Sequence, residues 1–133
     1  MSWNKCRTNL RFVLAVSAIV CGCGHRYAYP DLPALTSLRH IQEAEELYLQ
    51  HHGRYGNLSE LAFSSPDLVN RELAQGRAVG HTVVLRATDS TYVVQTEPIE
   101  WGRTGFRSFY SDQTQVVHQS FGPALATVSD LEL

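Results

Sequence analysis

The chain has 133 residues, 44% of them hydrophobic, with 13 acidic against 11 basic side chains and a net charge of −2. Lys5, Arg7 and Arg11 precede Cys23; from Cys23 onward eight arginines face 13 acidic residues, a net charge of −5 with no lysine. That balance lacks the basic stripe that phosphate backbones or anionic lipid headgroups require, so nucleic acid is not an expected partner.

Residues 1–11 hold three cations and no anion, and Phe12–Val20 follows as an uncharged apolar run that ends in Cys21-Gly22-Cys23. A basic n-region, a short apolar h-region and small closing residues predict a secretory signal peptide over residues 1–22. The stretch from Phe12 to Cys23 falls short of the ~20 residues of a spanning helix, and His25 and Arg26 break it. Val20-Cys21-Gly22-Cys23 resembles a bacterial lipobox, with an aliphatic residue at −3, glycine at −1 and cysteine at +1. The resemblance implies thioether linkage of Cys23 to diacylglycerol, with Cys23 as the new N-terminus. It implies a lipid anchor in the cell envelope; with Gly24 rather than aspartate at +2, the outer membrane or periplasmic face is expected in a Gram-negative cell.

Cys6, Cys21 and Cys23 are the three cysteines, and the 110 residues beyond them have none. A domain formed there has no disulfide staple, no zinc–thiolate site and no cysteine nucleophile.

Residues 23–33 read as a lipidated tether, in which Pro30 and Pro33 stop a helix from running back to the apolar run. Residues 34–133 form the expected domain. Ala34–His52 lacks internal Gly and Pro and is rich in Leu, Glu, Gln and Ala, which predicts a helix. Leu38, Ile41, Ala44 and Tyr48 fall on one face, while Glu43, Glu46 and Gln50 lie away from it and Leu47 sits off the stripe. Gly53 stands where a left-handed cap ends a helix. A loop, Arg54–Ala62, is expected to be pinned by Leu58 and Leu61, with a helical turn from Ser59. Pro66–Gln75 is expected to hold a further short helix with Leu68 and Leu73 inward.

Beyond Gly80 the period changes to that of strands. His81–Ala87, Thr91–Thr96, Phe106–Ser111 and Gln115–Gln119 are predicted strands, with turns at Asp89-Ser90 and Asp112–Thr114 and a loop from Pro98 to Gly105. One helix followed by four strands in short succession describes an α+β domain with an antiparallel sheet. The expected core is Leu38, Ile41, Ala44, Tyr48, Leu58, Leu61, Val84, Tyr92, Val94 and Phe109.

Ser37-Leu-Arg-His-Ile-Gln-Glu-Ala-Glu-Glu-Leu-Tyr48 and Gly53-Arg-Tyr-Gly-Asn-Leu-Ser-Glu-Leu61 resemble the soluble half of the long helix of type IV pilins and pseudopilins with its following loop. Gly80–Leu85, Thr91–Pro98 and Gly105–Asp112 resemble the sheet of the same family. The resemblance covers about Leu35 to His118. It implies a pilin-like roll, one N-terminal helix packed on a four-stranded antiparallel sheet. The chain also departs from that family. It has no Gly-Phe cleavage pair ahead of an apolar run and no glutamate within Phe12–Val20, and Pro30 and Pro33 part the run from the helix. The resemblance therefore implies the globular fold without the device for polymerising.

Four sets of residues invite a chemical reading. His51 and His52 are adjacent and point about 100° apart on a helix, and His40 lies roughly 17 Å along the axis, so a shared metal ion is not expected. Glu43, Glu45 and Glu46 read as solvated helix charges rather than paired general acids. Ser108, Ser111, Asp112 and His118 match a triad only by inventory, without a cradled serine or oxyanion donors. Asp112 is better placed as a turn residue that accepts backbone N–H bonds. Trp101, Phe106, Phe109 and Tyr110 read as core or loop anchors. No catalytic, metal or cofactor-binding residue is assigned.

The expectation is a non-enzymatic exported lipoprotein without a cofactor. It acts through contacts with a protein partner of the cell envelope, linked to a type IV pilus or type II secretion apparatus. The alternatives are a degenerate pseudopilin built into a fibre, and a small ligand-binding or hydrolytic surface lipoprotein, which would need a pocket with convergent polar groups.

Overall fold

The computed structural model describes residues 29–64 and 68–133. The expected signal peptide over residues 1–22, Cys23 and the expected tether up to residue 28 lie outside the described residues. Helix α1 (Leu32–His52) is followed by two short helices, α2 (Leu58–Ser64) and α3 (Arg71–Ala74). Six strands come next: β1 (Arg77–Ala78), β2 (His81–Ala87), β3 (Tyr92–Pro98), β4 (Arg107–Asp112), β5 (Val117–Phe121) and β6 (Leu131–Glu132). They form one antiparallel sheet in chain order, and α1 lies across β2, β3 and β4. The domain is α+β, a helix packed on an antiparallel sheet.

The sheet has six strands, not the four expected. The two additions, β1 and β6, are two residues long and sit at the edges. Such short pairs carry no alternation of their own, and tertiary contact places them: the Val83 amide donates to the Gly76 carbonyl at 2.8 Å, and the Leu133 amide to the Val117 carbonyl at 2.9 Å.

Helix α1 begins at Leu32, ahead of the expected start at Ala34, so the last tether residues belong to the fold. Pro33 sits in the first turn, where its missing N–H leaves no bond unmade. At the other end Gly53 has φ 71° and donates its N–H to the Leu49 carbonyl at 2.8 Å, the left-handed cap expected from the sequence.

Leu38, Ile41, Ala44 and Tyr48 are buried, as their spacing predicts. They meet Leu61 of α2, Leu73 of α3, and Tyr92, Val94 and Phe109 of the sheet. Each fully buried aliphatic side chain contributes roughly 1.5–3 kcal/mol. Leu58 packs against this core from its rim. Asn57 caps α2 reciprocally: its side chain accepts from the Glu60 amide and Glu60 accepts from the Asn57 amide, both at 2.9 Å.

Val84 does not belong to the core. Val83 and Leu85 point inward with His81, and Val84 is 42% exposed on the opposite face. The register explains the inversion: Leu85 pairs with Val94 and Val83 with Thr96, so those residues share the helix-facing side. A slip of one residue exchanges the two faces of a strand.

The far face of the sheet is partly covered by the chain after β5. Ser108 Oγ donates to the Ala124 carbonyl at 2.9 Å and accepts from the Ala126 amide at 2.8 Å. Gln95 Nε2 donates to the Ala126 carbonyl at 3.0 Å, and Ala126 of this strap is buried against the sheet.

Candidate functional site

Two buried side-chain carboxyl groups organise the polar interior, one just before α1 and one in its second half. Asp31, the residue before α1, is buried. Its Oδ1 accepts from the amides of Phe106 at 2.8 Å and Arg107 at 3.1 Å, and its Oδ2 accepts from Arg107 Nε at 3.0 Å. The guanidinium reaches on to Gln119 Oε1 at 2.9 Å and stacks over the rings of Phe109 and Phe121. One carboxylate thereby ties the start of the helix to the start of β4.

His81 lies beneath this clamp with no exposure. Its Nδ1 is 2.9 Å from the Val79 carbonyl, which can only accept, so Nδ1 carries the proton. Its Nε2 has no hydrogen-bond partner and faces Asp31 Oδ1 across 4.0 Å. Gly105 closes the site: a Cβ there would lie 2.6 Å from His81 Nε2 and 2.7 Å from Asp31 Oδ1. An aspartate and a histidine in contact suggest acid–base chemistry. Here both groups are buried, and Gly105 packs directly against them.

The second carboxylate is Glu45. The sequence places it among solvated helix charges; the structure buries it completely. Its Oε2 accepts from the Gly56 amide at 2.9 Å, and its Oε1 has no hydrogen-bond partner. Burial pushes its carboxyl up to about 7, the Gly56 bond works the other way, and the charge of Glu60 adds to the rise. The Tyr92 hydroxyl is also buried without a partner; burial first, and then the Glu45 charge, raises it above its ordinary range. Around this pair the loop is locked from outside. Arg54 bonds Glu60 Oε1 at 2.7 Å and lies over the Tyr48 ring, and the Tyr55 ring meets Tyr92 edge-on.

Glu43 and Glu46, in contrast, are exposed as expected. They line an open groove with Arg39, Gln42, Leu47 and Gln115, between α1 and the β4–β5 turn. Gln42 roofs the base of that turn: its Nε2 donates to Ser111 Oγ at 2.7 Å and to the Gln115 carbonyl at 3.0 Å.

The remaining sequence candidates separate. His40 Nε2 lies 2.7 Å from the Leu68 carbonyl, His52 stacks on Tyr48, and His51 is exposed. Among the described residues no group of three or more His, Cys, Asp or Glu could hold a metal ion. Ser108 bonds the strap, Ser111 Oγ donates to the Val116 carbonyl at 2.8 Å, and His118 Nδ1 lies 3.0 Å from the Asp130 carbonyl. Asp112 accepts from the Thr114 amide at 2.9 Å, the turn role its position predicts. Phe109 is core, Tyr110 is half-buried and packs edge-on against His118, and Phe106 is exposed. Trp101 bridges to Gly105 within the β3–β4 loop. Cys23 lies outside the described residues. No helix among the described residues is long and apolar enough to cross a membrane.

Sequence reasoning missed Glu45 and Asp31. For Glu45 the signal was present: it stands four residues after Ile41 and seven after Leu38, within the buried stripe. For Asp31 it was absent, because its partners Phe106 and Arg107 lie 75 and 76 residues away. No family model matches the chain, and neither a curated protein nor a solved structure matches it.

Proposed function

We propose that the chain is a non-enzymatic lipoprotein of the bacterial cell envelope, anchored through Cys23. Its pilin-like domain works by protein–protein contacts linked to a type IV pilus or type II secretion apparatus. The observation that carries this reading is the use of the buried polar groups. Asp31 holds β4, Glu45 holds the Gly56 loop, and Gln42 and Ser111 hold the β4–β5 turn. Ser108 holds the strap over the sheet. Each fastens one piece of backbone to another, as a rigid module that presents surfaces needs. The helix laid across a small antiparallel sheet, with the tether joining at the helix start, agrees with the resemblance to pilin-like proteins.

Cross-linking in intact cells followed by purification from membranes tests the proposal. Recovery of pilus or secretion components, reduced when exposed residues such as Leu47 or Glu46 are changed, is the expected result. Recovery of the chain alone with a bound small molecule would favour the ligand-binding alternative and end the proposal.

A further inference from the structure

The end of the domain that receives the tether is also its apolar end. The Asp31 clamp places the start of α1 beside Phe106 and Arg107. The Ile99 amide bonds the Gly80 carbonyl at 3.0 Å, and the Gly122 amide bonds the Phe106 carbonyl at 3.2 Å. The starts of α1, β2 and β4 and the ends of β3 and β5 therefore share one end. There Tyr29, Leu32, Val79, Ile99, Phe106 and Phe121 each leave more than half of their surface in water. Of the acidic groups there, Asp31 is compensated by Arg107 at 3.0 Å and Glu100 by Arg103 at 2.8 Å, while Glu97 accepts from the Thr82 hydroxyl at 3.5 Å. The opposite end carries the polar turns Thr88–Thr91 and Asp112–Gln115 and the histidines that close α1, with Val116 and Leu133 as smaller exposed apolar side chains beside them.

Exposed apolar side chains gathered at one end mark a surface that meets something apolar. The length of chain before Tyr29 says what. Cys23 stands six residues before Tyr29, and six residues reach at most roughly 20 Å. With lipid on Cys23 this end of the domain is held within that reach of the bilayer, and with the run Phe12–Val20 in the bilayer the nine residues from Val20 to Tyr29 hold it within roughly 30 Å.

We propose that this end lies in the membrane interface, with Tyr29, Leu32, Ile99, Phe106 and Phe121 entering the boundary between headgroups and acyl chains. The inference rests on the envelope-anchor reading above and adds an orientation to it: the α1 start faces lipid, and the polar turns, with the groove beside Leu47, face away. Aromatic and aliphatic side chains beside ion pairs suit that layer. Because the chain from Cys23 onward carries 13 acidic residues against eight arginines, attraction to anionic headgroups is not the driving force.

Trp101, in the β3–β4 loop at this end, is the reporter. Trp3 is the only other tryptophan, so Trp3→Phe leaves Trp101 alone. The full chain is purified from membranes and reconstituted in zwitterionic phosphatidylcholine vesicles, with and without brominated acyl chains. Trp101 emission should shift to the blue and be quenched by the bromolipid, equally at low and high salt. Moving the single tryptophan to the far turn (Trp101→Phe with Gln113→Trp) should abolish quenching. Ile99→Ser with Phe106→Ser should reduce it while flotation with vesicles persists. Flotation with neither reporter quenched, or with both quenched equally, overturns the orientation and leaves the anchor standing. Failure to float overturns both. A dimer of the solubilised chain that Ile99→Ser and Phe106→Ser dissolve, with Trp101 unquenched in vesicles, assigns the surface to a second copy and likewise overturns the proposal.

Discussion

The Gly56 amide donates to Glu45 Oε2 at 2.9 Å, so a carboxylate buried under α1 holds the loop that follows the helix. This position carries a pH dependence with a definite sign. The folded carboxyl titrates at about 7 against an ordinary value of 4.5. Below 4.5 both states are protonated and Glu45 has no effect. Between 4.5 and 7 the unfolded chain releases a proton that the folded chain keeps, so stability falls as pH rises, by about 3 kcal/mol in total. Glu45→Gln is neutral throughout and removes this slope. Urea unfolding of both proteins at pH 5 and pH 8 should show the wild type losing ground to the Gln variant by about that amount. A gap that stays constant would remove the assignment.

Gly105 is required by space rather than by backbone angle. Its missing Cβ leaves room for His81 Nε2 and Asp31 Oδ1, both under 3 Å from where a methyl would sit. Gly105→Ala should destabilise the fold by about 2–4 kcal/mol through overpacking of a polar site that has no slack. Gly102, three residues earlier, has φ 80° and open space around it. Gly102→Ala should cost only about 1 kcal/mol, from the backbone alone. Equal losses at the two positions in a denaturant titration would mean that Gly105 is not packed as described.

Asp31 decides where the domain begins. Asp31→Ala leaves the Arg107 guanidinium and two amides of β4 without their acceptor, and should cost about 3–5 kcal/mol. Asp31→Asn keeps an acceptor for the amides and should cost less. A chain starting at Ala34, the boundary the sequence suggests, should therefore melt well below one starting at Tyr29. Matching unfolding midpoints for the two chains would show that the clamp does not stabilise the domain.

How much could be read without coordinates depends on the reach of each interaction. The stripe from Leu38 to Tyr48 and the Gly53 cap are local and periodic, and both are found where the pattern puts them. The four longer strands are local too. The face of β2 is not: Val83, Val84 and Leu85 are all apolar, and only the pairing with Thr96, Gln95 and Val94 chooses between them. Strands β1 and β6 are two residues long and have no period to detect. Glu45 stood in the stripe, yet a charge on a helix reads as solvated until a loop is seen to fold over it. Asp31 and Arg107 are joined across most of the domain, and no spacing rule links them.

The lipobox resemblance has its own test. Cells expressing the full chain and fed an alkyne fatty acid should label the protein. Cys23→Ala should abolish the label and leave unprocessed chain, while Cys21→Ala should label normally. Label retained in Cys23→Ala and lost in Cys21→Ala would move the anchor by two residues; label retained in both would remove it.

The last prediction concerns the route into a fibre. In the pilin family an apolar N-terminal helix, continuous with the helix of the globular domain, packs in the fibre core. Here the described chain turns before the helix: the Leu32 amide donates to the Tyr29 carbonyl at 3.1 Å, and Pro30 and Asp31 stand between. Asp31 is anchored to β4 through Arg107, so the helix start is fixed against the sheet rather than free to extend. Signal cleavage before Cys23 would also replace the apolar run with acyl chains. These anchor well, at about 0.8 kcal/mol per buried CH₂, but they cannot stack as helices do. Cells lacking prepilin peptidase should therefore process this protein normally, sheared fibres should not contain it, and the delipidated protein should be a monomer or small oligomer. Precursor accumulating in such cells, or the protein appearing in sheared fibres, would favour the degenerate pseudopilin and require the Tyr29–Asp31 turn to straighten on assembly.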